Sequence, residues 1–366
     1  MRIVATTQLL VGIDIGDNSV QVAYYDESQF EPVAIESHVN QTDGDEYIIE
    51  ECLQAIYKTF EEADIVKITV CLENYTRERA RIIQRCISNH NIKSDDILVL
   101  NYKQSYLYYV LNQSSEMWVN DVGLFQYNNG TLIYRQLAVD RRKTPYIAGI
   151  IERDYSDMIQ QEVSGDIDKG YLFENIAENA IHKQIISTIY VTGNGFDGKW
   201  ADDSLRKLCR GRRVFKGHNL YVRGACYASR KKAGKGNMPE VIFIDDDMTP
   251  VHVSTSVYVN AGIQEVIISK AGQLWYEADN SIYVIPDNEN EMQINFTNVI
   301  THTKTKHLIP LDFLGIKRLD LKTRVRVRIR FQSIDKCIIT LSDEGFGEVL
   351  KSSRKMFEKI VNLDTH

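Results

Sequence analysis

Apolar residues alternate with polar ones, or cluster in short runs, from the first residues onward. Leu9-Leu10-Val11-Gly12-Ile13 is a continuous apolar run that ends in the acidic turn Asp14-Ile15-Gly16-Asp17-Asn18. After it, Val20, Val22 and Ala23 alternate with Gln21, so 9–35 reads as strand, turn, strand and strand. Ile48, Ile49, Cys52, Leu53, Ile56, Tyr57 and Phe60 recur at helical spacing and predict a helix over 44–60. A buried strand is expected at 65–72. Thr76 then caps a basic helix over 77–90, whose apolar face is Ala80, Ile82, Ile83, Cys86 and Ile87. A short strand at 97–100 leads to a Tyr-rich helix at 104–111. The pair 118–127 and 130–140 forms a hairpin turning at Asn128-Asn129-Gly130. Residues 151–182 read as helices and 185–192 as a strand. A Gly-rich turn follows, then a helix at 201–209, a strand fragment at Val214-Phe215, and a helix at 220–229 with Asn219 as its cap.

The pattern changes near the polar, basic stretch Ser229-Arg230-Lys231-Lys232-Ala233-Gly234-Lys235-Gly236. Beyond it come short strands at 241–244, 251–259, 264–269, 273–276, 281–285, 291–299, 305–311, 323–331 and 335–342, and a closing helix at 347–361. The expectation is an α/β domain over 1–236 and a mostly-β, sandwich-like domain with a terminal helix over 237–366.

Composition narrows the function. The 366 residues are 43% hydrophobic and 25% charged, ordinary for a globular protein. A net charge of −7 argues against nucleic acid as the main partner. The six cysteines form no CxxC pair and no zinc-spaced cluster, the pattern of reduced thiols in a cytoplasmic protein. The opening residues lack a small-residue cleavage site, and no apolar stretch is long enough for a membrane span, so neither secretion nor a membrane is expected.

The candidate chemistry starts at the first turn. Gly16 would permit a tight backbone turn aiming N–H groups at a phosphate, with Asp14 beside it to hold a metal and its water. An acidic turn also occurs in plain hairpins, and that reading stays open. Arg206, Lys207, Arg210, Arg212, Arg213 and Lys216 form a basic cluster, either an anion site or a solvated face. Arg324, Arg326, Arg328 and Arg330 share one strand face, either paired with neighbouring acids or presented to an acidic partner. Tyr102, Tyr106, Tyr108 and Tyr109 could stack a base or pack a core. The histidines are scattered, and no Gly-x-Ser-x-Gly nucleophile motif is present.

The order of these motifs resembles the actin-like ATPase superfamily, most closely the seventy-kilodalton heat-shock chaperones. Val11-Gly12-Ile13-Asp14-Ile15-Gly16-Asp17-Asn18 is similar to the first phosphate loop, without its two threonines. Asn101-Tyr102-Lys103-Gln104-Ser105 falls where the family has Asn-Glu-Pro-Thr-Ala, and Asn120-Asp121-Val122-Gly123-Leu124-Phe125 where its second phosphate hairpin belongs. Thr192-Gly193-Asn194-Gly195-Phe196 resembles the adenosine loop, and Val222-Arg223-Gly224-Ala225-Cys226 the closing Gly-Ala-Ala helix. Asp247-Met248-Thr249-Pro250 resembles the opening of the chaperone substrate domain.

The resemblance implies ATP or ADP with Mg²⁺ as ligand. It implies nucleotide contacts at Asp14, Gly16, Asp17, Asn18, Asp121, Gly123, Gly193, Asn194 and Gly195, and Mg²⁺ held through water by Asp14 and Asp121. The departures fall on the chemistry. The family's catalytic Glu falls at Tyr102, Leu124-Phe125-Gln126 replaces glycines and a Thr, and the segment carrying its Lys is missing. No catalytic residue is assigned. Such losses remove several powers of ten in rate, on the order of 4–8 kcal/mol of barrier. The expected function is a chaperone-like pseudo-ATPase coupled to a β domain that binds a protein or peptide partner. The alternatives are an active Mg-ATPase using Asp17 in place of the loop Thr, and an actin-like assembly protein.

Overall fold

The computed structural model describes residues 7–17, 19–26, 28–36, 44–60, 63–160, 168–259, 261–286, 290–315, 323–348 and 350–363. The chain divides into two compact units, 1–139 with 150–240, and 140–149 with 241–366.

The first unit contains the same strand plan twice. In its first half, β1 (Thr7–Ile15), β2 (Val20–Tyr25), β3 (Val33–Ile35), α1 (Asp45–Thr59), β4 (Ala63–Leu72), α2 (Arg77–Ser88), β5 (Ile97–Asn101) and α3 (Tyr102–Leu111) follow in order. The sheet order is β3-β2-β1-β4-β5. β2 runs antiparallel to β1 and β3, while β1, β4 and β5 run parallel. β1 is buried on both faces, as a central parallel strand requires. Leu9, Val11 and Ile13 share a core with Ile48, Leu53 and Ile56 of α1 and Ile83 and Ile87 of α2. Thr76 caps α2 as expected, its hydroxyl accepting from the Arg79 N–H at 3.1 Å.

The second half is built from β6 (Asp121–Asn128), β7 (Thr131–Asp140), β8 (Tyr146–Asp154), α4 (Ser156–Ile159), α5 (Lys169–Ile181), β9 (Ile186–Thr192), α6 (Asp202–Leu208), β10 (Arg213–Lys216) and α7 (Leu220–Lys232). Its order, β8-β7-β6-β9-β10, repeats the first. β6 pairs antiparallel with β7 and parallel with β9, and β9 is parallel to β10. Phe125, Tyr134, Phe173, Ile189 and Phe196 form its core. This doubled strand order is the plan of an actin-like α/β fold. Residues 151–154, expected to be helical, instead complete β8, and Tyr155 N–H donates to Leu132 O at 2.8 Å.

α7 covers the second face of the first sheet at very short range. A Cβ on Gly12 would lie 2.5 Å from Cys226 N and Val222 O. Ser229 Oγ donates to Val11 O at 2.7 Å and shares a 2.8 Å hydrogen bond with Thr69. α7 also packs on α3, where Ser105 Oγ donates to Tyr221 O at 2.6 Å.

The second unit holds β11 (Val241–Ile244), parallel to Tyr146–Gly149, and eight further strands. These are β12 (Val251–Val259), β13 (Gly262–Ser269), β14 (Asp279–Val284), β15 (Glu291–Asn298), β16 (Lys304–Pro310), β17 (Arg324–Ser333), β18 (Lys336–Gly345) and β19 (Met356–Asn362). Two antiparallel sheets, β13-β12-β15-β16 and β14-β17-β18-β19, enclose Val253, Phe296, Ile309, Val327, Ile329 and Leu341. A strand-rich second region is therefore present, but the terminal helix expected at 347–361 is not. Phe357 and Val361 of β19 face the core while Met356, Glu358 and Ile360 are exposed, a period of two. Gly345 and Gly347 have left-handed φ of 68° and 60°, which turn the chain back. The strand expected at 273–276 is a turn with one bridge, Met248 to Leu274. Among the described residues no helix is long and apolar enough to cross a membrane.

Candidate functional site

The carboxyl ends of β1, β4, β6 and β9 and the start of α7 surround a cleft of about 260 Å³ within the first unit. Carboxyl ends of parallel strands are where an open α/β sheet places ligands. The first half contributes Asp14, Gly16, Ser19, Gln21, Glu73 and Tyr102; the second contributes Asn128, Thr192, Gly193, Asn194, His218 and Tyr221.

Asp14 is 4% exposed, and its Oδ1 is buried with no partner. Burial, with a smaller push from Glu73 and an opposing hydrogen bond from Tyr102, raises its pKa to about 8. Tyr102 owes its position to the start of α3. Asn101 Oδ1 accepts the Gln104 N–H at 2.8 Å while Gln104 Oε1 accepts the Asn101 N–H at 3.1 Å. This capping box directs the Tyr102 ring into the cleft, where it stacks on Tyr221 with centroids 3.6 Å apart. Its hydroxyl lies 2.6 Å from where a Gly16 Cβ would be. Gly16 is therefore required for close approach. The tight turn is present, the Gly16 N–H donating to Ser19 O at 3.0 Å, and Gly16 makes it without a left-handed φ.

Glu73 was not anticipated from the sequence. Its N–H extends the β4 ladder by donating to Ile15 O at 3.3 Å, so its side chain enters the cleft. Glu73 Oε2 accepts the Asp17 N–H at 2.7 Å, and Oε1 accepts Gln126 Nε2 at 2.6 Å. Behind it, buried Arg135 donates to Gln126 Oε1 at 2.6 Å, Tyr221 Oη at 2.9 Å and Glu152 Oε2 at 2.6 Å. The one signal that could have found Glu73 is its place immediately after the last residue of a predicted parallel strand.

Of the expected contacts, Asp14, Gly16, Gly193 and Asn194 line the cleft. Asp17 lies at its edge, its carboxylate accepting Asn74 Nδ2 at 2.6 Å. Asn18 lies outside the described residues. Asn194 N–H donates to Asn128 Oδ1 at 3.0 Å. A Gly195 Cβ would fall 2.4 Å from the Tyr127 ring, so Gly195 serves packing behind the cleft.

Asp121 and Gly123 are corrected. The hairpin turn that meets the cleft is Asn128-Asn129-Gly130 at the far end of β6, whereas Asp121 begins that strand. Seven residues at about 3.3 Å each separate Asp121 from Asn128 by about 23 Å. Asp121 instead accepts Gln136 Nε2 at 2.6 Å, and a Gly123 Cβ would meet the Tyr134 ring at 3.1 Å. Asp14 and Asp121 therefore do not share a metal. Among the described residues no group of three His, Cys, Asp or Glu side chains is placed to hold one.

Half of the basic cluster is paired with acids: Lys207 with Glu174 at 2.6 Å, Arg213 with Glu116 at 3.1 Å and Arg206 with Asp203 at 3.2 Å. Of the tyrosine cluster, Tyr106 is fully buried and donates to Val122 O at 2.9 Å, the packing alternative. In the second unit Arg328 pairs with Asp279, and Arg324 lies over the Tyr283 ring at 5.0 Å.

Comparison with known proteins adds a family. A model described as "Family of unknown function (DUF5716) C-terminal" matches residues 36–246, more than half the chain. The chain belongs to this family. A second model, "Domain of unknown function (DUF8552)", matches residues 248–363, so the DUF5716 region ends where the strand-rich region begins. No curated protein matches the chain. Among solved structures, an inorganic polyphosphate/ATP-glucomannokinase from Arthrobacter sp. strain KM is 12% identical with a TM-score of 0.42, covering 62% of this chain and 98% of that one. A ROK family transcriptional regulator, homolog of the E. coli MLC protein, is 9% identical with a TM-score of 0.41, covering 62% and 78%. An activator of 2-hydroxyisocaproyl-CoA dehydratase from Clostridium difficile, with bound ADPNP, is 9% identical with a TM-score of 0.38, covering 62% and 96%. Strand order and direction, rather than these distant likenesses, carry the fold assignment.

Proposed function

We propose that the first unit is a nucleotide-binding module that does not hydrolyse its ligand, a pseudo-ATPase of the actin-like fold. In the same reading the strand-rich unit binds a protein or peptide partner. One observation carries the proposal: the hydroxyl of Tyr102, on Asp14, stands where the resemblance implies a catalytic carboxylate. Burial and the neighbouring acids hold the Tyr102 pKa well above its ordinary value, so it stays a neutral phenol near pH 7 and takes no proton from water.

A buried carboxyl oxygen without a partner is a hard donor of the kind a divalent cation takes, and Asp14 presents one on the cleft. Asp14 would hold Mg²⁺ accompanying a nucleotide, with water completing its shell, and the metal would neutralise phosphate charge. Asp14 must lose its proton to serve, so Mg²⁺ affinity rises as pH increases towards about 8.

Calorimetric titration of AMP, ADP and ATP with Mg²⁺, with Asp14→Ala alongside, tests the reading. Binding heat from at least one nucleotide, lost in the variant, with phosphate release no faster than in the variant, supports it. Phosphate release that disappears in Asp14→Ala would favour the active Mg-ATPase instead. Absence of heat from every nucleotide would overturn nucleotide binding.

A further inference from the structure

The Asp17 N–H of the first hairpin is the kind of backbone donor that a terminal phosphate would take, and the chain's own Glu73 carboxylate already takes it at 2.7 Å. The other Glu73 oxygen is held by Gln126 at 2.6 Å, and Gln126 is in turn held by Arg135 and Tyr221. The carboxylate is thus anchored from both halves of the unit. We infer that Glu73 is a built-in occupant of the terminal-phosphate seat, and that the cleft therefore takes a nucleoside or nucleoside monophosphate in preference to a triphosphate. The inference rests on the nucleotide reading of the cleft.

Four further observations point the same way. No Lys or Arg lines the cleft among the described residues, whereas the Glu73 carboxylate and the Asp14 carboxyl do, so a chain of phosphates meets acidic groups rather than cations. Its volume of about 260 Å³ is at the small end for ligand sites, which typically run about 300–1,000 Å³. The unpartnered Oδ1 of Asp14, on a side chain 96% buried by its 4% exposure, leaves a polar position for a ligand hydroxyl or amino group. Asn128, Thr192 and Asn194, at the opposite wall, are neutral hydrogen-bonding groups suited to a sugar or base.

The test titrates AMP, ADP and ATP, each with Mg²⁺, into the full chain and into Glu73→Ala and Glu73→Gln. The wild-type chain is expected to bind AMP at least tenfold more tightly than ATP. Glu73→Ala, which empties the seat, is expected to raise ATP affinity at least tenfold while changing AMP affinity less than threefold. Glu73→Gln keeps the side-chain volume and an acceptor for Asp17 but removes the charge. It is expected to raise ATP affinity at least threefold, and it carries the test if the alanine variant fails to fold. Wild-type binding of ATP as tight as AMP would overturn this inference and leave the nucleotide reading intact. A preference for AMP unchanged in both variants would overturn the role of Glu73. No binding of any of the three by any of the chains would overturn both.

Discussion

The two halves of the first unit share a strand plan and differ in what they place at its ends. In the first half, the β1–β2 turn and the end of β4 bring Asp14, Asp17 and Glu73 together. In the second, the β6–β7 turn and the end of β9 bring Asn128, Thr192 and Asn194. One wall of the cleft carries carboxyl groups, and the other carries amides, hydroxyls and the His218 imidazole. Backbone pairing, which depends on alternation and turn geometry, is repeated; side-chain chemistry at strand ends is free to diverge, because no ladder hydrogen bond depends on it.

The largest expected effect isolates that asymmetry. Asp14 has a folded-state pKa raised to about 8 from 3.8, so the folded protein holds a proton that the unfolded chain releases. Its contribution is fully present below the unfolded value and is lost as pH rises through the folded one, at roughly 1.4 kcal/mol per pH unit across the window. Asp14→Asn should match the wild type at pH 4 and exceed it by several kcal/mol at pH 9 in urea unfolding. Parallel pH profiles for the two proteins would sink this account.

Arg135→Ala, on the side of the amide wall, leaves buried Gln126 and Tyr221 without their donor and exposed Glu152 without its partner, and should cost about 3 kcal/mol. A loss below about 1 kcal/mol in urea unfolding would mean that the network does not hold the halves' shared geometry. Next, Gly12→Ala pushes a methyl to 2.5 Å from α7 backbone, whereas Gly123→Ala meets a Tyr134 ring at 3.1 Å that can tilt. The first should cost about 3 kcal/mol and the second about 1 kcal/mol or less. Equal losses would show that α7 is not pressed on β1 as described. The smallest effect is Asn128→Ala, which removes the acceptor of the Asn194 N–H and should cost about 1 kcal/mol. An unchanged melting temperature would place that N–H on water instead.

Much of the local structure was legible before the fold was known. The alternation of Val20, Gln21 and Val22, the helical recurrence of Ile49, Leu53 and Ile56, and the Thr76 cap each concern residues within a few positions of one another. Where local signals competed, they misled. Residues 347–361 carry apolar positions compatible with either period, and pairing with β18 decided for a strand. The site was legible in part. Asp14, Gly16, Gly193 and Asn194 sit in motifs that announce a turn at a strand end. Asp121 was placed by a motif that matched the wrong end of β6.

The sequence by itself determined the succession of strands, helices and caps, because backbone period, capping and turn preference are set by neighbouring residues. It also determined that position 102 carries a phenol and not a carboxylate. Only the tertiary structure decided that Glu73, Tyr102, Gln126 and Tyr221, spread over nearly 150 residues, meet around one buried Asp14. That convergence follows from which strand ends the doubled sheet brings together and from α7 closing on β1 and α3. Both are properties of packing between distant segments, which no local pattern records.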